Sequence, residues 1–213
     1  LIYVIPPMLL IYFQPDLGTA VVIAVIWLAM IVAAGLPLLH LGLLSVVGVL
    51  SAPIIWTSLE DYMRLRIITF LDPSRDPLGT GYNINQALIA IGSGGWLGQG
   101  FTSGSQSQLH FLRVRHTDFV FSVLAEELGF VGAVILFGLL IILLWRIMRA
   151  ASLSRDTFGY LLAWGVATII FFQSAVSISM NLGLMPTTGI PLPFICSGAV
   201  SYTHLRAHET GRN

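Results

Sequence analysis

The feature that most limits what this chain can fold into is a series of long apolar runs. A helix that crosses the hydrocarbon core of a membrane takes about 20 mostly apolar residues. Runs of roughly this length occupy 17–36, 38–58, 119–145 and 158–180. Only 9% of the residues are charged, whereas soluble domains carry about 25%. The chain is therefore predicted to be an all-α polytopic membrane protein.

Two shorter apolar segments lie at the ends of the chain. Residues 1–13 have neither a basic start nor a small-residue cleavage site, so we interpret them as part of a span and not as a signal peptide. Another apolar run begins at 189 and ends near 200, which predicts a partial last span, 189–200. These segments give a single membrane domain over 1–200, a helical bundle truncated at both ends. The polar residues 201–213 are interpreted as a non-native tail.

The arginines predict an orientation for the bundle. The short segment 146–157 carries three arginines, which places it in the cytoplasm, so the long polar region 59–118 is predicted to be extracytoplasmic. This region also holds five arginines, but long loops follow the rule poorly. Apolar residues at helical spacing over 83–91 predict a short helix on the membrane. The Gly- and Ser-rich stretch 91–108 is interpreted as a shaped loop without the Lys of a phosphate-binding loop.

Asp118 lies at the entrance to the apolar run 119–145. Its simplest interpretation is a helix cap, a role that contributes about 0.3–1 kcal/mol. The alternative follows from Arg113, Arg115 and His116, which crowd the same turn. A carboxylate among cationic groups at a membrane surface can bind a lipid headgroup or act as a base. Both interpretations stay open on the residues alone.

Two carboxylates follow inside the same run. Glu126 and Glu127 lie roughly 12 Å further along a helix, a depth at which a charge indicates a partner, a cavity or a pathway. At about 100° per residue, Glu126 lies about 80° round from Asp118 and Glu127 lies on the opposite face. They cannot both line one site with Asp118. Pairing with another helix and a functional role are equally compatible with this spacing.

Polar side chains on other predicted spans have structural interpretations. Gln173, Ser177 and Asn181 recur every four residues, which favours hydrogen bonding between helices over contact with lipid. Asp16 most simply caps the span 17–36. The net charge is zero, which gives no field to attract nucleic acid. The residues thus leave two classes, an enzyme that acts on a lipid-linked substrate and a transporter that moves one.

Four strings of the sequence are characteristic. They are QPDLGTA at 14–20, RLRIITFLDPSRDPLGTGYNINQALIAIGSGGWLGQG at 64–100, HTDFVFSVLAEELGFVG at 116–132 and MPTTGIPLPF at 185–194. In this order they resemble the SEDS family (shape, elongation, division and sporulation), in its RodA-like form. The similarity extends from the first residues to about Gly198, after which the chain departs from the family pattern.

The resemblance implies a fold and an activity. Family members have ten spans, of which this chain would hold about five to six, together with a long extracytoplasmic loop that carries short helices. The family polymerises lipid II, a polyprenyl-pyrophosphate-linked glycan, at the outer face of the bacterial cytoplasmic membrane. The implied function is an inverting peptidoglycan glycosyltransferase of cell elongation, partnered by a class B penicillin-binding protein. The 213-residue chain alone is expected to be inactive.

The resemblance also assigns site residues. Asp118 matches the aspartate of the family's HTDF motif, the proposed catalytic residue. The predicted substrate-binding residues are Arg113, Arg115, His116, Thr117, Arg64, Arg66 and Gln86. The predicted supporting residues are Glu126, Glu127, Asp16 and Asn181. A divalent cation, Mg or Mn, is a further expectation, with Asp118 as its ligand instead of a base. The alternative functions are a lipid-linked precursor flippase and a non-catalytic scaffold for the penicillin-binding protein.

Overall fold

A computed structural model of the chain contains helices and connecting segments. It describes residues 4–13, 16–72, 80–100 and 118–196, and no strand occurs within these ranges. The helices are α1 Ile5–Phe13, α2 Leu17–Ala33, α3 Leu38–Ser58, α4 Asp61–Leu71, α5 Thr80–Gly94, α6 Val120–Ser152 and α7 Thr157–Asn181. The predicted all-α class is confirmed.

Three helices in the described part of the chain are long and apolar enough to cross a membrane. They are α3, α6 and α7, of which α6 is the longest with 33 residues. The helix α2 has 17 residues, at the lower end of the length that a span requires. The prediction of a polytopic membrane protein is confirmed, and the predicted runs 38–58 and 158–180 match α3 and α7 closely.

The chain divides into two compact units. The first comprises Leu1–Asp72 and Leu140–Phe172, and the second comprises Pro73–Leu139 and Gln173–Asn213. The second unit therefore contains α5, the beginning of α6 and the end of α7, which together surround the site described below.

The helix α2, in the first unit, begins where the sequence predicts. The carboxylate of Asp16 accepts hydrogen bonds from the amide of Thr19 at 3.0 Å and from its hydroxyl at 2.6 Å. These bonds satisfy one of the amides that a helix start leaves without a partner. The predicted cap is confirmed. After α2, Gly35 adopts a φ of 88°, which allows the chain to turn towards α3.

The helix α6 departs from the predicted span 119–145 in two ways. It continues to Ser152, so the connection to α7 is shorter than the predicted segment 146–157. Arg149 lies over the ring of Trp145 at 5.6 Å, and a cation near a helix C-terminus is favourable. The backbone is also non-helical at Gly129, with φ 66° and ψ −163°, so the predicted continuous helix is wrong at this point.

The predicted last span is not helical in its described part. Residues 189–196 form a turn and segments without regular secondary structure. Pro191 and Pro193 cannot donate helical amide hydrogen bonds, and Gly189 and Phe194 have positive φ values of 71° and 68°. The prediction of a span that begins at 189 is therefore wrong for residues up to 196.

The described parts of the region 59–118 contain two shorter helices. The helix α4 has 11 residues and α5 has 15 residues. The helix predicted over 83–91 is confirmed, and it extends beyond both predicted ends. Residues 101–117 of this region lie outside the described residues.

Candidate active site

The break in α6 is closed by the glycine-rich segment that follows α5. The amides of Gln99 and Gly100 donate to the carbonyls of Glu126 and Glu127 at 2.9 and 3.1 Å. In return, the amides of Phe130 and Val131 donate to the carbonyls of Gly95 and Trp96 at 2.9 and 3.1 Å. Backbone groups in a membrane helix require such partners. The segment 95–100 thus replaces the helical hydrogen bonds that the break removes.

Three glycines make this close approach possible. A Cβ atom on Gly94 would overlap the carbonyl oxygen of Ala125, and one on Gly98 would overlap that of Glu127. A Cβ on Gly129 would overlap the backbone of Gly98. The shaped loop interpreted over 91–108 is present at residues 95–100, whose backbone packs directly on the backbone of α6. Residues 91–94 belong to α5 instead, and residues 101–108 lie outside the described residues.

Small and aromatic residues pack α5 against the start of α6. Ala87 and Ala90 are fully buried against Phe119, which is 2% exposed, and Val123 packs on this cluster. The alanines leave room for the ring, and burial of a phenylalanine contributes roughly 1.5–3 kcal/mol. This packing fixes the turn that carries Asp118, which is itself half-buried.

The first turn of α6 takes its cap from another helix. Phe119 precedes the first helical residue and has no polar side-chain atom for a cap. The amide of Ser122, the third residue of the helix, donates to Oδ1 of Asn181 at 3.1 Å. The hydroxyl of Ser122 donates to the same oxygen at 2.6 Å. Asn181, at the end of α7, therefore supplies an N-cap hydrogen bond that α6 lacks locally.

The other half of the Asn181 amide contacts Asp118. Its Nδ2 donates to the backbone carbonyl of Asp118 at 2.9 Å and to that of Ser177 at 2.8 Å. An asparagine amide has two donor hydrogens and one acceptor oxygen with two lone pairs, so all four positions are used. Asn181 is fully buried. The predicted hydrogen bonding between helices is confirmed for Asn181.

The two predicted carboxylates of α6 differ in exposure. Glu126 is fully buried and Glu127 is partly exposed. Their backbone carbonyls, as described above, hold the segment 95–100. The predicted supporting roles of their side chains stay predictions.

The arginines of α4 belong to the first unit and have structural contacts there. Arg64 donates from Nε to the carbonyl of Trp56 at 3.1 Å and from Nη2 to that of Thr57 at 2.7 Å. It thus supplies side-chain donors to two carbonyls in the last turn of α3. Arg66 lies over the ring of Tyr62 at 5.6 Å. Gln86 lies partly buried on α5 in the second unit.

The remaining predicted site residues lie outside the described residues. They are Arg113, Arg115, His116 and Thr117, which immediately precede Asp118. Within the described part of the chain, no group of three or more His, Cys, Asp or Glu side chains lies close enough to hold a metal ion. The described residues therefore do not form a complete metal site around Asp118 by themselves.

Sequence reasoning missed Ser122 and the pairing of Gly98 with Gly129. Ser122 carries only a weak signal. Serine is a common capping residue immediately before a helix, whereas Ser122 lies inside the predicted one. The glycines carry a stronger one, because isolated glycines within apolar helical runs indicate close backbone approach or a break.

The fold and the site define a class of protein, namely a helical membrane protein with a carboxylate at the start of a broken span. The sequence matches the family profile described as "Cell cycle protein", that of FtsW, RodA and SpoVE, over residues 1–208. The chain belongs to this family, and the resemblance inferred from its motifs is confirmed.

Relatives with assigned names agree with this membership. The chain is 44% identical over 208 residues to peptidoglycan glycosyltransferase MrdB of Escherichia coli K12, a match that covers 97% of the chain and 56% of the relative. It is 40% identical over 191 residues to a probable peptidoglycan glycosyltransferase FtsW of Trichlorobacter lovleyi, covering 88% and 49%. The chain thus spans about half the length of these relatives.

Two solved structures are similar to the chain. One belongs to a study of polymerization and crosslinking by a peptidoglycan synthase complex, with a TM-score of 0.74, 36% identity, and coverage of 93% of this chain and 55% of the other. The second is a variant of the rod shape determining protein RodA of Thermus thermophilus, with a TM-score of 0.54, 32% identity, and coverage of 89% and 46%.

Proposed function

We propose that the complete protein carrying this sequence is a peptidoglycan glycosyltransferase that polymerises lipid II during cell elongation. The observation that carries the proposal is the placement of Asp118, half-buried at the start of a membrane helix and held through its backbone by Asn181. The 44% identity to a peptidoglycan glycosyltransferase over 97% of the chain supports the same activity.

The proposed reaction joins two sugars with inversion. The donor carries an α-linked pyrophosphate on a polyprenyl lipid, and the acceptor offers the 4-hydroxyl of a GlcNAc. Asp118 takes the proton of this hydroxyl while the hydroxyl oxygen attacks C1 of the donor. The new β-1,4 C–O bond forms while the C1–O bond to phosphate breaks, and the electron pair of that bond leaves with the polyprenyl pyrophosphate. A base on the acceptor side is what inversion requires.

Arg113 and Arg115 are the proposed partners of the pyrophosphate. A guanidinium presents a planar pair of donors that matches phosphate oxygens, and two such groups would neutralise the charge that develops on the leaving group. His116 and Thr117 complete the proposed substrate-binding turn, with Gln86 as a further contact. The contacts of Arg64 with two carbonyls of α3 favour a structural role for it.

A divalent cation stays a prediction. Magnesium is commonly held by one or two carboxylates and the phosphates of a substrate, without a full cage of protein ligands. In this alternative to the role of base, Asp118 would be such a single ligand. Such an ion would supply charge neutralisation to the pyrophosphate. Removal of divalent ions with EDTA, followed by addition of Mg²⁺ or Mn²⁺, tests the prediction: lost and then restored polymerisation supports it, and unchanged polymerisation contradicts it.

The site is proposed to face the outer side of the bacterial cytoplasmic membrane. Lipid-linked glycan substrates and a growing polymer need a water-facing surface, and the segment 153–156 between α6 and α7 is then cytoplasmic together with the arginines that precede it. The similar structure of a peptidoglycan synthase complex supports a class B penicillin-binding protein as the partner that crosslinks the product.

A transporter is the competing proposal, and it needs a polar path for the headgroup. Glu126 of α6 and Asn181 of α7 are polar residues that could line such a path, but both are fully buried. Asn181 also has its hydrogen-bonding positions filled by protein groups. These observations favour a site at one membrane face.

The decisive experiment supplies lipid II to the purified complete protein in detergent, without its partner. Glycan strands resolved by gel electrophoresis are the expected product. A protein that moves labelled lipid II across vesicles but forms no strands would be a flippase. A protein that does neither, although it binds the penicillin-binding protein, would be a scaffold.

A further inference from the structure

The side chain of Asn181 has two structural roles at once: it caps a helix, and it binds the backbone carbonyl of a residue before that helix. Its Oδ1 caps the Ser122 amide of α6, and its Nδ2 binds the carbonyl of Asp118 at 2.9 Å. The two residues that it holds are four positions apart and flank the point where α6 begins. One side chain from α7 therefore fixes both the helix start and the peptide group that leads into it.

From this geometry we infer that Asn181 is a positioning residue, which sets the location of the Asp118 carboxylate through the Asp118 backbone. This inference rests on the proposed function, in which Asp118 is the base. Fixing a carbonyl fixes its peptide plane and, with it, the position of the Asp118 Cα atom from which the side chain extends. A general base must lie within hydrogen-bonding distance of the proton that it takes, and a displacement of about 1 Å can lower a rate about 100-fold.

The burial of Asn181 makes the tether rigid. The side chain is fully buried, as are its neighbours Ser122 at 0% and Ser177 at 1% exposed. An amide that lost one of these bonds would find no water to replace it, so each bond is expensive to break. The carbonyl of Ser177, on the same helix, completes the set and fixes the rotation of the Asn181 amide.

The test compares Asn181→Ala with a matched control in the complete protein. Ser174→Ala removes another buried polar group of α7, 6% exposed, whose hydroxyl has no hydrogen-bond partner among the described residues. Lipid II turnover per folded molecule is measured with substrate concentration varied, and the melting temperature is measured in parallel. We expect Asn181→Ala to lower kcat by about 10- to 100-fold with KM within about twofold. Ser174→Ala should match the wild type in both constants.

If Asn181→Ala does not fold, Asn181→Asp takes its place in the test. It has the same shape and keeps the oxygen that caps Ser122, but it replaces the donor to the Asp118 carbonyl with an oxygen. A comparable loss of kcat is expected wherever the new carboxyl is ionised, and it should diminish where that carboxyl is protonated, because a protonated carboxyl can donate to the Asp118 carbonyl. A purely structural role predicts a lower melting temperature with unchanged turnover per folded molecule, and that result would overturn the inference.

Asp118→Asn, measured alongside, separates the two claims. If Asp118→Asn is inactive while the Asn181 variants turn over lipid II at the wild-type rate, the positioning role is wrong and the proposed function stands. If Asp118→Asn polymerises at the wild-type rate, Asp118 is not the base, and both claims are overturned.

Discussion

The docking of the segment 95–100 on the broken helix α6 predicts a graded effect of three Gly→Ala substitutions. Gly98→Ala combines two costs, because the residue has a φ of 79° and its new Cβ would overlap the carbonyl of Glu127. The left-handed conformation costs an alanine about 1–2 kcal/mol. Displacing the segment also weakens the bonds donated by Gln99 and Gly100, each contributing about 0.5–1.5 kcal/mol.

The expected loss for Gly98→Ala is therefore about 2–5 kcal/mol in the free energy of unfolding. Gly95→Ala isolates the first cost: its φ is 54°, but the described residues leave open space around its Cβ, so about 1–2 kcal/mol is expected. Gly92→Ala is the control, since it lies in α5 with open space and an ordinary φ. It should be neutral or stabilising by about 0.5–1 kcal/mol.

The assay is reversible unfolding of the complete protein by SDS in mixed micelles, followed by circular dichroism. The expected order of the variants, from most to least stable, is Gly92→Ala, Gly95→Ala, Gly98→Ala. Equal stability of the Gly92 and Gly98 variants would show that the segment does not pack on α6 as described. A loss at Gly95 as large as that at Gly98 would show that conformation alone, and not close packing, decides the effect.

Three further predictions concern the cap, the orientation and the substrate turn. Asp16→Ala should lower the free energy of unfolding by about 1 kcal/mol, and Asp16→Asn, which can still cap, should not, as SDS unfolding would reveal. Single cysteines at Ser105 and Ser154, in a background without other cysteines, should react with an impermeant thiol reagent from opposite sides of the membrane; labelling of both from outside would contradict the orientation. Substitution of Arg113 or Arg115 by Lys should reduce lipid II turnover, and substitution by Ala should reduce it roughly 10- to 100-fold. Equal activity of the Lys and wild-type forms would assign these arginines to the membrane surface.

The parts of the fold that depend on local physics were predictable. A membrane span must be long and apolar, so α3 and α7 were recognisable from their residues alone. The cap at Asp16 depends on a contact three residues away. The turns at Pro191 and Pro193 carried a local signal as well, and the apolar character of the run 189–200 masked it.

The parts that depend on distant partners were not predictable. The break at Gly129 is possible because a segment about 30 residues earlier in the chain supplies replacement hydrogen bonds. A glycine within an apolar run indicates that a break can occur there, but nothing within the run 119–145 indicates which segment supplies the bonds. The cap on Ser122 comes from Asn181, which is 59 residues away. Periodicity placed Asn181 on a polar stripe, but it gave no information about which groups the amide would bind.

The central claim, that Asp118 acts as the catalytic base, is tested most directly by Asp118→Asn in the complete purified protein. Asparagine keeps the size of the side chain and one acceptor oxygen, so the substitution isolates the negative charge of the carboxylate. With membrane insertion and melting temperature unchanged, the account predicts that no glycan strands form from lipid II. Strand formation at a rate near that of the wild type would contradict it and would leave Asp118 with a structural role alone.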